Sequence, residues 1–358
     1  MRTQRAVFLP LICFGLVGCE DTDTTLGGQP RPPASDLAVV APDTAQEPVF
    51  NDATPDSESD LPPPASNLPG TFEEVQSFGS NPGKLRMHRF VPAQMPQKAA
   101  LVVALHGCNQ TAADFAKTGW NTIADQHRFF ILYPETNMFN QPMRCFNFPT
   151  NLTTKNPEVV SIFQMIDTMR GDFSIDPKRI FIAGVSAGAA MTVNLLGMAP
   201  GVFAAGGSIA GVPFHCGSTV MEYMACGTFG KNLTPAQWAG LVWDANPGYK
   251  GLYPRISIWQ GSLDTSVNPV NSDELVEQWT EVHGIDQIAD AVDVIGVTTH
   301  KEYRDASGAT LVETYTIGGA GHMIPVDPKN GCGSTGMMVY DKGICAADRL
   351  ARFFGLVP

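Results

Sequence analysis

The sequence predicts an α/β fold, a mostly parallel sheet with helices on both faces. Three observations carry this. Apolar runs short enough to be buried strands recur along the chain. They alternate with longer segments whose apolar residues keep helical spacing. The pentapeptide Gly184-Val185-Ser186-Ala187-Gly188 stands between one such run and an alanine-rich, helix-prone stretch.

In chain order, Lys98 to Leu105 opens on a lysine and is then wholly apolar, as a strand covered on both faces requires. Thr111 to Gln126 suits a helix, and Phe129 to Tyr133 suits a strand ended by Pro134. In Asn156–Met169 a proline sits near the start, and Val159, Ile162, Phe163, Ile166 and Met169 fall at helical spacing. Arg179 to Ala183 is a strand introduced by the turn Asp176-Pro177. Phe203–Ala210 and Ile256–Gln260 read as strands, Glu274–His283 as a helix, Leu311–Ile317 as an alternating strand and Ala346–Phe354 as a last helix. Right-handed crossovers join such elements. No internal repeat is present, and residues 69–358 fit one domain of this architecture.

The 358 residues, 44% of them hydrophobic, suffice for a large core. A net charge of −12 argues against a nucleic-acid partner. Between Glu20 and Asn67 ten acids face one base, Arg31; with Arg2 and Arg5 ahead of them, this leaves −5 for the remainder. So acidic a strip, rich in Pro, Ser, Thr and Asp, cannot bury enough apolar surface to fold, and residues 20–68 are expected to form a disordered tether. Residues 1–19 read as a signal peptide: two arginines, an apolar run from Ala6 to Gly18 too short to span a membrane, then polar sequence. Its end, Leu16-Val17-Gly18-Cys19, resembles the bacterial lipobox, so Cys19 is expected to carry lipid. The chain is then exported and tied to a membrane only through that lipid, as a surface lipoprotein or an extracellular protein. It is expected to be a monomer.

Six cysteines remain: Cys108, Cys145, Cys216, Cys226, Cys332 and Cys345. In an oxidising compartment an even number suggests disulfides, with 15 possible connectivities. Nearest-neighbour pairing, 108–145, 216–226 and 332–345, closes three local loops and is preferred. No CxxC and no Cys/His spacing of a zinc site occurs, so no metal and no cofactor is expected.

The pentapeptide is a G-x-S-x-G turn. A sharp strand-to-helix corner strains the serine backbone and lifts its hydroxyl above the sheet, and the crowded flanks demand small residues. The Ala187 N–H then points to where an oxyanion would form. A serine hydroxyl needs a base. Among His215, His283, His300 and His322, the last sits in Gly318-Gly-Ala-Gly-His-Met323, a small-residue loop after a strand, and is the chosen base. Asp264, just past a strand in Trp259–Pro269, is the chosen acid; Asp244 and Asp327 are weaker rivals. The turn Leu105-His106-Gly107-Cys108-Asn109-Gln110 stands where a second oxyanion donor belongs, with His106 read as orienting it. The aromatics Trp120, Phe146, Trp243 and Trp259 are candidates for a substrate cleft, with core packing as the alternative.

These residues bring out a likeness. Leu105 to Gln110, Tyr133-Pro-Glu-Thr136, Cys145-Phe-Asn147, Gly184 to Gly188, Trp259 to Pro269 and Arg352-Phe-Phe-Gly-Leu356 occur in an order that resembles the polyhydroxybutyrate depolymerase-like esterases, whose relatives include secreted feruloyl and acetylxylan esterases. The resemblance implies an α/β-hydrolase fold with Ser186, Asp264 and His322 as a triad. It implies that the Cys108 and Ala187 N–H groups share an oxyanion hole, and that Cys108 is bonded to Cys145. It implies short-chain hydroxyalkanoate polyesters as substrate. Two features depart from the pattern: many polymer-degrading members carry a C-terminal binding domain, whereas this chain ends at Pro358, and Ala189 stands where many have a second glycine. A feruloyl or acetylxylan esterase is the alternative enzyme. A glycan-binding lipoprotein without activity is the non-enzyme alternative.

Overall fold

The computed structural model describes residues 70–147 and 153–358. The expected signal peptide, Cys19 and the acidic tether lie outside the described residues. Ten strands form one sheet: β1 (Thr71–Val75), β2 (Arg86–Val91), β3 (Ala99–Leu105), β4 (Phe130–Glu135), β5 (Ile175–Val185), β6 (Ala205–Ile209), β7 (Arg255–Gly261), β8 (Ala291–Ile295), β9 (Thr298–Arg304) and β10 (Thr310–Ile317). Their order is β1-β2-β4-β3-β5-β6-β7-β10-β9-β8. The six from β4 to β10 are parallel, and antiparallel pairs flank them on either side.

Among the described residues eight helices accompany the sheet: α1 (Ala112–Ala116), α2 (Trp120–His127), α3 (Pro157–Asp172), α4 (Ala187–Met198), α5 (Val220–Phe229), α6 (Pro235–Ala245), α7 (Val270–His283) and α8 (Ala346–Phe353). Strand alternation builds a core on each face. Leu101, Val103, Ile180 and Ile182 pack with α3, α4, α6 and α7. Val102, Ala104, Phe181 and Ala183 pack with α1, α2 and α8. All twelve residues of α4 are buried, so the helix behind Ser186 lies wholly inside the molecule.

One expected helix is divided. Thr111–Gln126 breaks between Lys117 and Gly119 into α1 and α2. Gly119 holds φ 108°, where a side chain is strained, and a Cβ there would strike Cys332 Sγ. The helix therefore bends aside for the Cys332–Cys345 disulfide.

The parallel register brings the strand ends level. Leu105 lies beside Gly184, Val185 beside Ile209, Ile209 beside Trp259, and Gly261 beside Ile317. Loops leaving β3, β5, β6, β7 and β10 thus share one edge, where ligands bind in open α/β sheets.

Candidate active site

Ser186 occupies the step from β5 to α4 with φ 55° and ψ −118°. An L-residue rarely adopts that conformation, and here the surroundings enforce it. A Cβ on Gly184 would collide with the Gly188 carbonyl, and a Cβ on Gly188 with the carbonyls of Leu105 and His106. The Ser186 N–H donates to Ile209 O at 2.9 Å, which pins the turn to β6.

Beside the serine lies a cavity of about 280 Å³, mostly apolar, lined in part by Cys108, Met143, Phe146, Ala187, Tyr223 and Met224. The backbone N–H groups of Cys108 and Ala187 take part in no hydrogen bond among the described residues. Two free donors beside a strained hydroxyl make a pair that an oxyanion could accept.

The Cys108 donor belongs to the Gly107–Cys108 peptide, and that peptide and its two neighbours in the turn are each held in place. His106 Nδ1 lies 2.7 Å from Gly107 O, while His106 Nε2 accepts the Thr136 N–H at 3.1 Å. With Nε2 an acceptor, Nδ1 carries the proton and donates. Burial pushes the His106 pKa down, against the opposing pull of the Gly107 carbonyl, so the ring stays neutral. Gln110, fully buried, accepts the Gly107 N–H at 2.9 Å and donates to Met337 O at 2.8 Å. Asn109 N donates to Met143 O, and Cys108 is bonded to Cys145.

Asp264 lies three residues beyond β7, with its side chain wholly buried. Its Oδ2 is 2.8 Å from His322 Nδ1 and accepts from Gln260 Nε2 at 3.1 Å; Oδ1 accepts the N–H groups of Ser266 and Val267. Burial alone would raise this carboxyl, but the bonds from His322, Val267 and Ser266 outweigh it and hold the pKa below the ordinary aspartate value. His322 follows β10 on the loop next to β7, and close contact makes this possible: a Cβ on Gly261 would collide with the carbonyls of Ala320 and Gly321. The ionised carboxylate fixes Nδ1 as the protonated nitrogen and leaves Nε2 outside that bond.

The other histidines are occupied elsewhere. His283 Nε2 lies 3.2 Å from Pro254 O, and burial pushes its pKa down to about 4. His300 bonds Glu313, and His215 bonds Ser218. Asp244 is exposed on α6, and Asp327 caps Asn330.

Of the four cleft candidates, only Phe146 lines the cavity. Trp120 is core, stacked on Phe354. Trp259 is core as well, stacked on Tyr315 at 3.9 Å with its Nε1 donating to Ser257. Trp243 is exposed on α6, away from the cavity lining. An apolar ring packs equally well in a core or a cleft, so residue type alone could not separate them. Gln110, Gln260 and α5 are not singled out by the sequence; Gln110 and Gln260 lie inside the stretches Leu105–Gln110 and Trp259–Pro269, whereas nothing local marks α5.

The structure also joins Cys216 to Cys226 and Cys332 to Cys345. Among the described residues one trio, His300, Glu302 and Glu313, brings potential metal-ligand atoms within 4.8 Å of one another. Its groups already bond one another, Ser257, Arg304 and Thr310.

A parallel sheet that launches a strained serine into a buried helix, with loops from neighbouring strands meeting beyond it, is the frame of an α/β-hydrolase. The described fold matches the acetyl xylan esterase of Aspergillus awamori with TM-score 0.68 at 24% identity, over 80% of this chain and all of that one. The chain belongs to the family described as Esterase PHB depolymerase, whose model matches residues 88–304, and it is a carboxylic ester hydrolase. It is 44% identical over 289 residues to poly(3-hydroxyalkanoate) depolymerase C of Paucimonas lemoignei, covering 79% of this chain and 70% of that protein. Over 268 residues it is 32% identical to feruloyl esterase B of Talaromyces stipitatus, covering 72% and 73% of the two chains.

Proposed function

We propose that the chain hydrolyses short-chain hydroxyalkanoate polyesters and oligoesters through an acyl-enzyme on Ser186. The observation that carries this is the mostly apolar cavity in which Ser186 stands beside two unengaged backbone N–H groups. Ser186 Oγ forms a bond to the ester carbonyl carbon as His322 Nε2 takes its proton. The carbonyl electrons move to oxygen, which the N–H groups of Cys108 and Ala187 hold. Collapse breaks the bond to the alkoxy oxygen, which leaves with the proton from His322. Water then repeats the sequence and frees the hydroxy acid. Asp264 keeps the imidazole oriented and stabilises its charged form.

The relative named a poly(3-hydroxyalkanoate) depolymerase, at 44% identity, supports the polyester reading over the feruloyl reading, whose relative stands at 32%. The test compares hydroxybutyrate trimer, methyl ferulate and acetylated xylan as substrates. Hydroxybutyrate oligomers are expected to give the highest kcat/KM; a clear preference for methyl ferulate would overturn the substrate assignment. Ser186→Ala is expected to abolish turnover of p-nitrophenyl butyrate.

The same reading makes the chain an exported lipoprotein attached through Cys19. Three disulfides fit an oxidising compartment. Globomycin should block maturation; unchanged processing in its presence would count against lipidation.

A further inference from the structure

Large apolar side chains scattered singly over a surface need no explanation, but a cluster around one opening does. Three segments that contribute to the cavity beside Ser186 each also present such residues to solvent. In the segment from Asn137 to Cys145, Phe139 is 97% exposed and Met143 more than half exposed. On α5, Met221 is 81% exposed, and Met224 and Phe229 are exposed with it. Leu263, next to Asp264, is exposed as well.

The α5 part is continuous with the catalytic cavity. A shallow groove lined only by α5 residues shares Val220, Met224 and Thr228 with the cavity that holds Ser186. Glu222, the one charged residue of α5, is turned onto its own N-terminal turn, where it accepts the Ser218 N–H at 2.7 Å. The helix is firmly seated. Cys226 is bonded to Cys216, and Gly227 O accepts from Asn268 N at 2.7 Å and Asn271 Nδ2 at 3.0 Å.

We propose that this apolar collar, formed by α5, the Phe139 segment and Leu263, is the surface with which the enzyme adsorbs to solid polyester. The inference rests on the polyester reading of the site and deepens it. The argument for this occupant is position. A protein partner seated on the collar would lie across the cavity mouth and shut Ser186 away from its ester. A water-poor polymer lying there offers its chain ends and loops directly to the cavity. The chemistry agrees. Unbranched Met side chains adapt to an irregular apolar surface, and a fixed helix loses little freedom on contact. A hydrated polysaccharide would instead need an array of donors and acceptors, and the exposed side chains of Phe139, Met143, Met221, Met224, Phe229 and Leu263 offer no N–H or O–H donor.

The experiment uses polyhydroxybutyrate film and the full chain. Adsorption is measured with Ser186→Ala, so that the film is not consumed. Release of hydroxybutyrate from the film is measured with the active enzyme and divided by its rate on dissolved p-nitrophenyl butyrate. Met221 and Phe229 do not line the catalytic cavity, so the double variant Met221→Glu/Phe229→Glu should lower adsorption and this ratio at least tenfold. Phe139→Glu, on a different segment, should lower the ratio severalfold and serves as a second, independently folded probe. A ratio within twofold of the parent in both variants would overturn the collar. So would a Ser186→Ala chain that fails to adsorb. An enzyme that adsorbs through these residues yet releases no hydroxybutyrate would instead overturn the polyester reading and leave the collar standing.

Discussion

His322 and His300 each hydrogen-bond a buried carboxylate, at 2.8 Å from Asp264 and 3.0 Å from Glu313, yet the two pairs sit in opposite settings. His300 lies inside β9, its ring stacked 4.2 Å from Tyr315, which stacks in turn on Trp259. Trp259 Nε1 donates to Ser257, and Ser257 donates to Glu313, so the network closes on itself within the sheet. His322 sits beyond the strand ends, one face of its carboxylate partner filled by backbone N–H groups and its Nε2 left out of the pair. A histidine–carboxylate pair is therefore no sign of catalysis by itself. A nitrogen left over at the edge of the sheet that also carries the strained serine separates one pair from the other.

The largest effects should fall on the edge pair. His322→Ala is expected to lower kcat on p-nitrophenyl butyrate on the order of 10⁶-fold, and to remove about 1–3 kcal/mol of stability as Asp264 loses a partner. Asp264→Asn should cost on the order of 10⁴-fold, because an amide no longer fixes the protonated nitrogen. His300→Ala should leave the rate of the folded enzyme within about twofold, while removing about 1–3 kcal/mol of stability as Glu313 loses a partner. Rate measurements paired with denaturant unfolding check all three. Loss of turnover in His300→Ala without unfolding would erase the distinction.

A smaller effect tests the oxyanion side of the same edge. Gln110 does not line the cavity; its side chain fixes the His106–Gly107 peptide, the unit just before the one that carries the Cys108 N–H, by accepting the Gly107 N–H and donating to Met337 O. Gln110→Ala frees that peptide, and kcat should fall about 10- to 100-fold while KM changes little, because a misplaced donor is felt mainly in the transition state. A change confined to KM would assign Gln110 to substrate binding instead.

The same contrast explains what the sequence disclosed. The central strands were legible because burial on both faces leaves an unbroken apolar run, as in Leu101–Leu105. The strained turn at Ser186 and the paired positions Asp264 and His322, proposed as the reacting groups, stand out because glycine-marked turns follow those strands. The outer strands were not legible: β8 is half exposed and its Val292, Asp293 and Val294 all face water, so no alternation survives. Helix α5 was hidden for a physical reason, since its buried residues are Tyr223, Cys226 and Gly227 while its methionines point outward. Its pattern is the reverse of what a core-facing helix shows. Trp120 and Trp259 could not be assigned to core or cleft from sequence, because both settings select the same side chain.

An effect that leaves the rate untouched concerns a second pair of carboxyls with opposite responses to pH. Asp264 is held below its ordinary pKa, so its contribution to stability is present above the ordinary aspartate value and is lost as pH falls through the folded one. Glu158 behaves the other way. Burial raises it to about 7, only partly offset by the Asn147 N–H that its Oε2 accepts at 2.7 Å. A raised carboxyl binds its proton more tightly in the folded chain than in the unfolded one. Its contribution is complete below the ordinary glutamate value and disappears as pH rises through about 7. Between pH 5 and 8 this should cost the protein up to about 3 kcal/mol. Glu158→Gln keeps an acceptor for Asn147 and removes the titration. Glu274, also raised to about 7, contributes a slope of the same sign in both proteins, so the difference between them isolates Glu158. Unfolding free energies measured from pH 5 to 8 should fall faster for the parent than for Glu158→Gln, and parallel curves would mean that Glu158 ionises as an exposed glutamate does.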